Sequence, residues 1–400
     1  MSSALLIIER NEQILSLLYQ HNRPVQVKVH DKREENKSSL TLDAIYIGKV
    51  KNVVPGIDAA FVEVCKGQRG FLPMKHVKNP MIVNRQYDGR ILAGDEILVQ
   101  IEKEGIKTKD PGLTCNLSFS GKYLVLTTGK QGIGYSNKLD NKTKLLWKQK
   151  LEDWKLEDIL QEEQVGMVIR TNVVGLAVDE FFKEELRQLL AQKNKVLDAV
   201  SYRTCFSCLS QPREGYLTDI RDAYEDSYDK IITNSSVVYE RIREEFPTME
   251  NVELYQDNRI SLEKLYSVET RLQEALDEKV WLKSGAYLII QQTEALTVID
   301  VNSGKIQKKN PKDDIYFEIN KEAAKEIALQ LKLRNLSGII IIDFINQNAK
   351  EQDNELLSYL SGLVKKDSVK TNVIDMTPLG LVEVTRKKIN KSLKEQLRRD

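Results

Sequence analysis

Cysteine, histidine and tryptophan are scarce in this chain: four, three and three of 400 residues. Cys65, Cys115, Cys205 and Cys208 are too few and too scattered to form the disulfide framework of a small secreted protein. Cys205 and Cys208 make a lone C-x-x-C without a second pair at zinc-ribbon spacing, so the motif reads as structural, with a metal or redox role as the lesser alternative. No apolar run approaches the roughly 20 residues that cross a bilayer. The N-terminal stretch 1–10 meets charge too soon to be a signal peptide, and a cytoplasmic location is the default expectation. Neither sign of charge dominates. Sixty basic residues against 59 acidic ones give a net charge of +1, so composition alone does not announce a nucleic-acid binder. Residues 386–400 are locally basic, with seven Lys or Arg against two acids, a run that on its own reads as a solvated helix face.

What is present is ordinary globular material, 41% hydrophobic and 30% charged, in a chain long enough for two or more cores. Apolar segments 4–8 and 14–19 precede a charged stretch, 31–37, that suits a linker. Strand-like segments 44–51, 59–64, 70–72 and 96–101 follow, separated by the turn formers Pro55-Gly56, Lys66-Gly67 and Ala93-Gly94. Short strands at this spacing predict a small β-barrel of the OB kind. A second β-rich piece runs over 123–128 and resumes at 167–179, around a charged helical segment, 141–164; a further helix is expected over 181–196. Residues 219–277 read as mostly helical, with short strands at 230–233 and 252–255. The pattern then changes to strand, helix, strand, helix, strand, an α/β layered domain. Its strands are 287–290, 296–299, 339–342 and 373–376, and its first helix carries Ile319, Ala323, Ile327 and Leu331 as one stripe, closing near Ser337-Gly338. The four consecutive isoleucines 339–342 suit a strand buried on both faces. Leu356, Leu360, Leu363 and Val364 give the second helix its apolar side.

Asp300 and Asp343 each end a strand in this domain, in TVID and IIIID. Carboxyl ends of strands in α/β sheets are where side chains from separate strands converge on ligands. Two carboxylates brought together repel unless they share a cation or a proton. Magnesium suits such a pair, since it takes one or two carboxylates and fills its other positions with water and phosphate oxygen. Asn302, two residues on, points to the same side of an extended chain as Asp300. An aspartate at a strand end also serves as a turn former or helix cap, and the residue pattern alone leaves both roles open.

Five segments in order, YIGKVKNVVPGIDAAFVEVCKGQRGFLP, VIRTN, TVIDVNSGK, LRNLSGIIIIDFI and GLVEVTRKK, together resemble the ribonuclease E/G family over nearly the whole chain. The resemblance implies an α/β and α+β multidomain protein. Residues 1–38 and 216–278 would form a split RNase H-like domain, 39–118 an OB-fold RNA-binding domain, 119–215 a 5′-phosphate sensor region, and 279–400 a DNase I-like catalytic domain. It implies one magnesium ion held by Asp300 and Asp343, with Asn302 completing the catalytic set. It further implies cleavage of single-stranded RNA to 5′-phosphate and 3′-hydroxyl ends, in ribosomal RNA processing or messenger decay.

Within the same resemblance, Phe61 and Phe71 fall on base-stacking aromatics and Lys109 on a backbone contact, although strand alternation alone would also place both phenylalanines in a core. Lys305 and Arg386 are expected to steady the RNA backbone or the developing charge. Arg170 and Thr171, with Gly121 and Val125 lining the pocket, would take a 5′-monophosphate. Two departures qualify the transfer. Asn346 stands in IDFIN where the family often has a second aspartate, and the sequence given stops at KSLKEQLRRD, before the family's C-P-x-C zinc element. The expectations are therefore no zinc link and a monomer, or a dimer that does not depend on zinc. An RNA-binding protein with a weakened centre is the alternative.

Overall fold

The computed structural model describes residues 3–32, 40–103, 105, 110–176, 178–223, 228–247, 249–304, 313–347, 350–389 and 391–397. The chain forms two compact units, Met1–Lys32 with Asp226–Asp400, and Arg33–Glu225. Residues 216–278 are thus divided, and most of them share a unit with 279–400.

The first unit opens on three antiparallel strands, β1 (Ala4–Arg10), β2 (Gln13–Gln20) and β3 (Arg23–Asp31). His21 and Asn22 both take left-handed backbone angles (φ 51° and 64°), the two-residue hairpin turn whose twist matches its strands.

The second unit contains β4 (Ile45–Val54), β5 (Ala59–Cys65), β6 (Gln68–Pro73), β7 (Glu96–Lys103) and β8 (Gly112–Thr114). Their order is β4-β5-β6-β8-β7, and β7 pairs back onto β4, so the sheet closes into a five-stranded barrel. Closure removes the free edges that an open sheet would present. Val50, Ala60, Val62, Leu72, Ile97, Val99 and Leu113 fill its interior.

A second sheet of the same unit runs in the order β11 (Gly132–Tyr135), β12 (Gly166–Ile169), β10 (Leu124–Thr127), β9 (Ser118–Ser120). The helical stretch expected over 141–164 is two helices, Asn141–Asp153 and Leu156–Glu162, because Lys155 between them adopts a left-handed conformation. The strand expected to reach 179 ends at Ile169. A short 3₁₀ turn, Thr171–Val173, follows it, and the helix Asp179–Val200 begins where further strand was expected. A final short strand, β13 (Cys208–Ser210), adds to β4.

Back in the first unit, β14 (Lys230–Thr233) and β15 (Val252–Leu254) extend the N-terminal sheet in parallel beside β1, giving the order β15-β14-β1-β2-β3. The remaining strands are β16 (Lys279–Trp281), β17 (Tyr287–Gln292), β18 (Leu296–Asn302), β19 (Gly338–Asp343), β20 (Thr371–Met376) and β21 (Leu381–Arg386). They order as β16-β17-β18-β19-β21-β20. The helices Asp313–Leu333 and Lys350–Val364 pack Ile319, Ala323, Ile327, Leu331, Leu356 and Leu360 against Ile299, Val301, Ile340, Ile342, Val382 and Val384. The first helix does not close on Gly338, which opens β19. Asn335 takes the left-handed angle two residues past the helix end.

The isoleucine run corrects an expectation. Ile340 and Ile342 are fully buried, but Ile339 is 53% exposed and Ile341 half-buried. The helices cover one face of the sheet, and the alternation of side chains leaves every second residue on the other.

Candidate active site

The two aspartates meet on that open face. β18 and β19 are parallel neighbours, and Asp300 stands in register with Asp343. The row continues across the sheet as Lys279, Ile289, Asp300, Asp343 and Leu381, one residue from each of five strands. Neighbouring strands lie about 4.8 Å apart, so the carboxylates project side by side. Asp300 is half-buried and Asp343 exposed. Asn302 Nδ2 donates to Asp300 Oδ2 at 2.6 Å, which fixes the carboxylate's rotation. Among the described residues no basic side chain pairs with either aspartate, and no cluster of three or more His, Cys, Asp or Glu groups is poised for a metal. Two carboxylates with an amide beside them nevertheless fit a hard cation that keeps most of its water. Glu383 reaches the same face on β21, opposite Ile341 and so diagonal to Asp343, a carboxylate that the sequence reading did not single out.

The helix Asp313–Leu333 sets this strand-end geometry through two side chains that sequence reasoning also missed. Asn320, fully buried, donates from Nδ2 to the Ile345 carbonyl at 2.8 Å and accepts from the Ile345 N–H at 3.1 Å. It clamps the backbone just beyond Asp343. Glu322 accepts from the N–H groups of Lys283 (2.8 Å) and Ser284 (3.4 Å), which holds the turn between β16 and β17. Gly304, just past Asn302, sits at φ +65°, and a Cβ there would come within 2.4 Å of the Gly285 carbonyl of that turn. An amide on a helical stripe resembles any polar residue until its partner is known. Replacing Asn320 with alanine removes the partner of both half-buried Ile345 backbone groups. We expect a loss of about 1–3 kcal/mol in unfolding free energy, and a fall in kcat larger than any change in KM if Asp343 shifts.

Arg386 is not with them. It lies opposite Gly338, five residues along β19 from Asp343, or about 16 Å. Its parity matches Val382 and Val384, so it points into the helix-covered core, where it is 4% exposed. There it donates to Asp367 (2.8 Å), Asn335 Oδ1 (2.8 Å) and the Leu336 carbonyl (2.9 Å). This corrects the expected RNA contact: the guanidinium is consumed by the fold. Lys305 and Lys109 lie outside the described residues.

On the barrel, Phe61 and Phe71 are cross-strand partners with ring centroids 5.8 Å apart in a T-shaped pair. Their neighbours Ala60, Val62, Gly70 and Leu72 are buried, whereas the two rings stand half-buried on the outer surface, which decides against the core alternative. The Arg69 guanidinium lies 5.0 Å from the Phe61 ring centre.

The fourth group forms at the end of β10 and β12. Arg170 donates to the Gly121 carbonyl and, at 2.8 Å, to Asp222. Burial works to raise the Asp222 carboxyl, but the Arg221 and Arg170 guanidiniums outweigh it and hold the group below the usual carboxylate range. Gly121 has a steric reason to be glycine, since a Cβ would meet the Glu185 carboxylate at 2.3 Å. That carboxylate accepts the N–H groups of Lys122, Tyr123 and Leu124. Burial pushes the Glu185 carboxyl up despite those three hydrogen bonds and nearby Arg170. The backbone amides around Gly121 are therefore already taken by an internal anion. Val125 on β10 and Thr171 after β12 flank the same strand ends, both half-buried.

Among the described residues no helix is long and apolar enough to cross a membrane. The S1 RNA binding domain matches residues 39–115, the segment of the closed barrel. The Ribonuclease E/G family matches residues 118–389, and the chain belongs to that family. Ribonuclease G of Salmonella typhimurium is 32% identical over 391 residues, covering 92% of this chain and 77% of the relative. Ribonuclease G of Haemophilus influenzae is 33% identical over 394 residues with the same coverage. Ribonuclease E of a Nostoc species is 31% identical over 363 residues, covering 88% of this chain and 52% of its own length.

Proposed function

We propose that this chain is a magnesium-dependent endoribonuclease that cuts single-stranded RNA, leaving 5′-phosphate and 3′-hydroxyl ends, in ribosomal RNA processing or messenger decay. The observation that carries the proposal is the in-register pair Asp300 and Asp343 on an uncovered sheet face, with Asn302 bonded to the first. When bound there, magnesium would polarise the scissile phosphate and lower the pKa of a coordinated water. The chain's own residues do the rest. Asp300 and Asp343 supply the carboxylate oxygens, Asn302 sets the rotation of Asp300, and Asn320 fixes the backbone beyond Asp343.

The strand order β15-β14-β1-β2-β3, three antiparallel strands continued by two parallel ones, supports an RNase H-like assignment for the N-terminal sheet. The one-face-covered sheet carrying the aspartates supports a DNase I-like assignment for 279–400. The exposed pair Phe61 and Phe71, with Arg69 beside them, would stack and hold unpaired bases on the barrel. Asn346 lies three residues past Asp343, beyond the end of β19, and its side chain replaces no ligand in the pair.

Arg170 and Thr171 would grip a 5′-monophosphate, which must compete with Asp222 for the guanidinium. Arg170→Lys keeps the charge but loses the two-pronged geometry. Cleavage of a 5′-monophosphorylated strand is expected to fall about tenfold, the equivalent of one charge-assisted hydrogen bond, while the 5′-hydroxyl strand is cut at the unaltered rate. Equal losses on both strands would argue against a phosphate sensor. The whole proposal is tested by magnesium-dependent cleavage of an AU-rich, 5′-monophosphorylated single strand. Tight binding without cutting under any divalent metal would favour the RNA-binding alternative.

A further inference from the structure

The sheet row beside the aspartates carries chemistry that the proposed cleavage site does not use. Trp281, Tyr287 and Asn302 are in register on β16, β17 and β18, so all three side chains project from the open face. Trp281 is 64% exposed although tryptophan is the largest apolar side chain in the chain. Its ring centroid lies 5.2 Å from that of Tyr287, at 61° between planes. The Lys279 ammonium sits 3.9 Å from the Trp281 ring centre and 3.8 Å from that of Tyr287. Lys279 itself stands in the row of Asp300, two strands away, or about 10 Å.

We propose that Trp281 and Tyr287, with Lys279 between them, form a stacking platform that holds an unpaired RNA base about three or four nucleotides from the cleaved bond. The proposal rests on the endoribonuclease reading of Asp300 and Asp343. Single-stranded nucleic acid is bound by aromatic faces that stack on bases, interleaved with cations that follow the backbone. Both elements are present here within 4 Å of each other. Trp281 lies two strands across and two residues along from Asp300, about 12 Å, which spans three to four rises of a stacked strand at about 3.4 Å each, so a base on Trp281 belongs to the strand whose phosphate reaches the aspartates. A lysine on an edge strand also discourages pairing between sheets. That role requires no aromatic pair against its ammonium, and it leaves the exposure of Trp281 unexplained. The row thus adds a position-specific grip to the sequence-tolerant contacts of the barrel.

The test uses the full chain carrying Asp300→Ala, so that binding is read without cleavage, and a 5′-monophosphorylated AU-rich oligoribonucleotide. Adding Trp281→Ala is expected to weaken binding about tenfold, the scale of one lost stacked base. Trp281→Phe should restore most of it, and Lys279→Ala should flatten the salt dependence by about one phosphate contact. Most of the intrinsic fluorescence quenching on RNA addition should be lost with Trp281→Ala. Of the two other tryptophans, Trp147 is buried at 2% exposure. In the cleaving chain, an abasic nucleotide walked through the positions flanking the cut should slow cleavage at one position only, and Trp281→Ala should erase that sensitivity. Unchanged affinity and quenching in Trp281→Ala would overturn the platform while leaving the cleavage site standing. Unchanged affinity accompanied by a change in oligomeric mass would overturn it too, assigning the patch to contact between copies. Undiminished cleavage by Asp300→Ala and Asp343→Ala would overturn the placement of the cleavage site at the aspartates on its own, since the binding arms do not depend on turnover.

Discussion

Alanine at Asp300 or at Asp343 is expected to lower single-turnover cleavage of a 5′-monophosphorylated RNA strand by at least about a thousandfold, equivalent to about 4 kcal/mol of barrier stabilisation at about 1.4 kcal/mol per decade. Folding should be spared. Asp343 is exposed and Asp300 only half-buried, and neither carboxylate has a cationic partner among the described residues, so removing one relieves repulsion and gives up, for Asp300, only the hydrogen bond from Asn302. The metal-free melting temperature is therefore expected to stay level or rise. Magnesium should raise the melting temperature of the parent chain and fail to do so in either variant, because a ligand that binds only the folded state stabilises it in proportion to its saturation. Cleavage that persists in both variants would sink the site. Loss of cleavage together with a collapsed melting temperature would mean that the aspartates serve the fold.

Arg386→Ala should show the opposite profile. Its guanidinium and the Asp367 carboxylate are both almost wholly buried, at 2% and 8% side-chain exposure. Removing the cation leaves a buried carboxylate without it, and also frees the Asn335 and Leu336 acceptors. Breaking a buried pair from one side costs about 3–5 kcal/mol, which a shift in the denaturant midpoint at constant slope would report. Arg386→Lys should recover part of the loss, since a lysine keeps the charge but cannot reach three acceptors in the same plane. If Arg386 instead touched RNA, the alanine variant would melt normally and bind RNA with a shallower salt dependence. The two outcomes do not overlap.

Arg386 also shows what could be read along the chain and was not. The alternation of buried Val382 and Val384 places Arg386 on the covered face, opposite in parity to Leu381, which pairs with Asp343. A basic residue in a family motif invites a functional role, and the strand's own periodicity argues against it. The isoleucine run is the converse case. Four apolar residues in succession suggest two covered faces, but periodicity cannot tell a face covered by helices from one left open for a ligand. The barrel was more legible, because turn formers at Pro55-Gly56, Lys66-Gly67 and Ala93-Gly94 bracket its strands, and short strands with strict local turns leave few ways to pair.

By itself, the sequence determined the main barrel strands and the strand and helix pattern around the aspartates, the placement of Asp300, Asn302 and Asp343 at strand ends, and the kinship with the ribonuclease E/G family. These are properties of local periodicity and of motif order. Only the tertiary structure decided that Asp300 and Asp343 share a register, that Phe61 and Phe71 face outward, that Asn320 clamps the chain beyond Asp343, and that Arg386 is buried. Each of these depends on which element lies across from a residue. Strand pairing and layer packing join positions ten residues apart, as in Phe61 and Phe71, and 226 apart, as in Ala4 and Lys230, and the partner is set by the free energy of the assembled sheet and its helices, not by either segment alone.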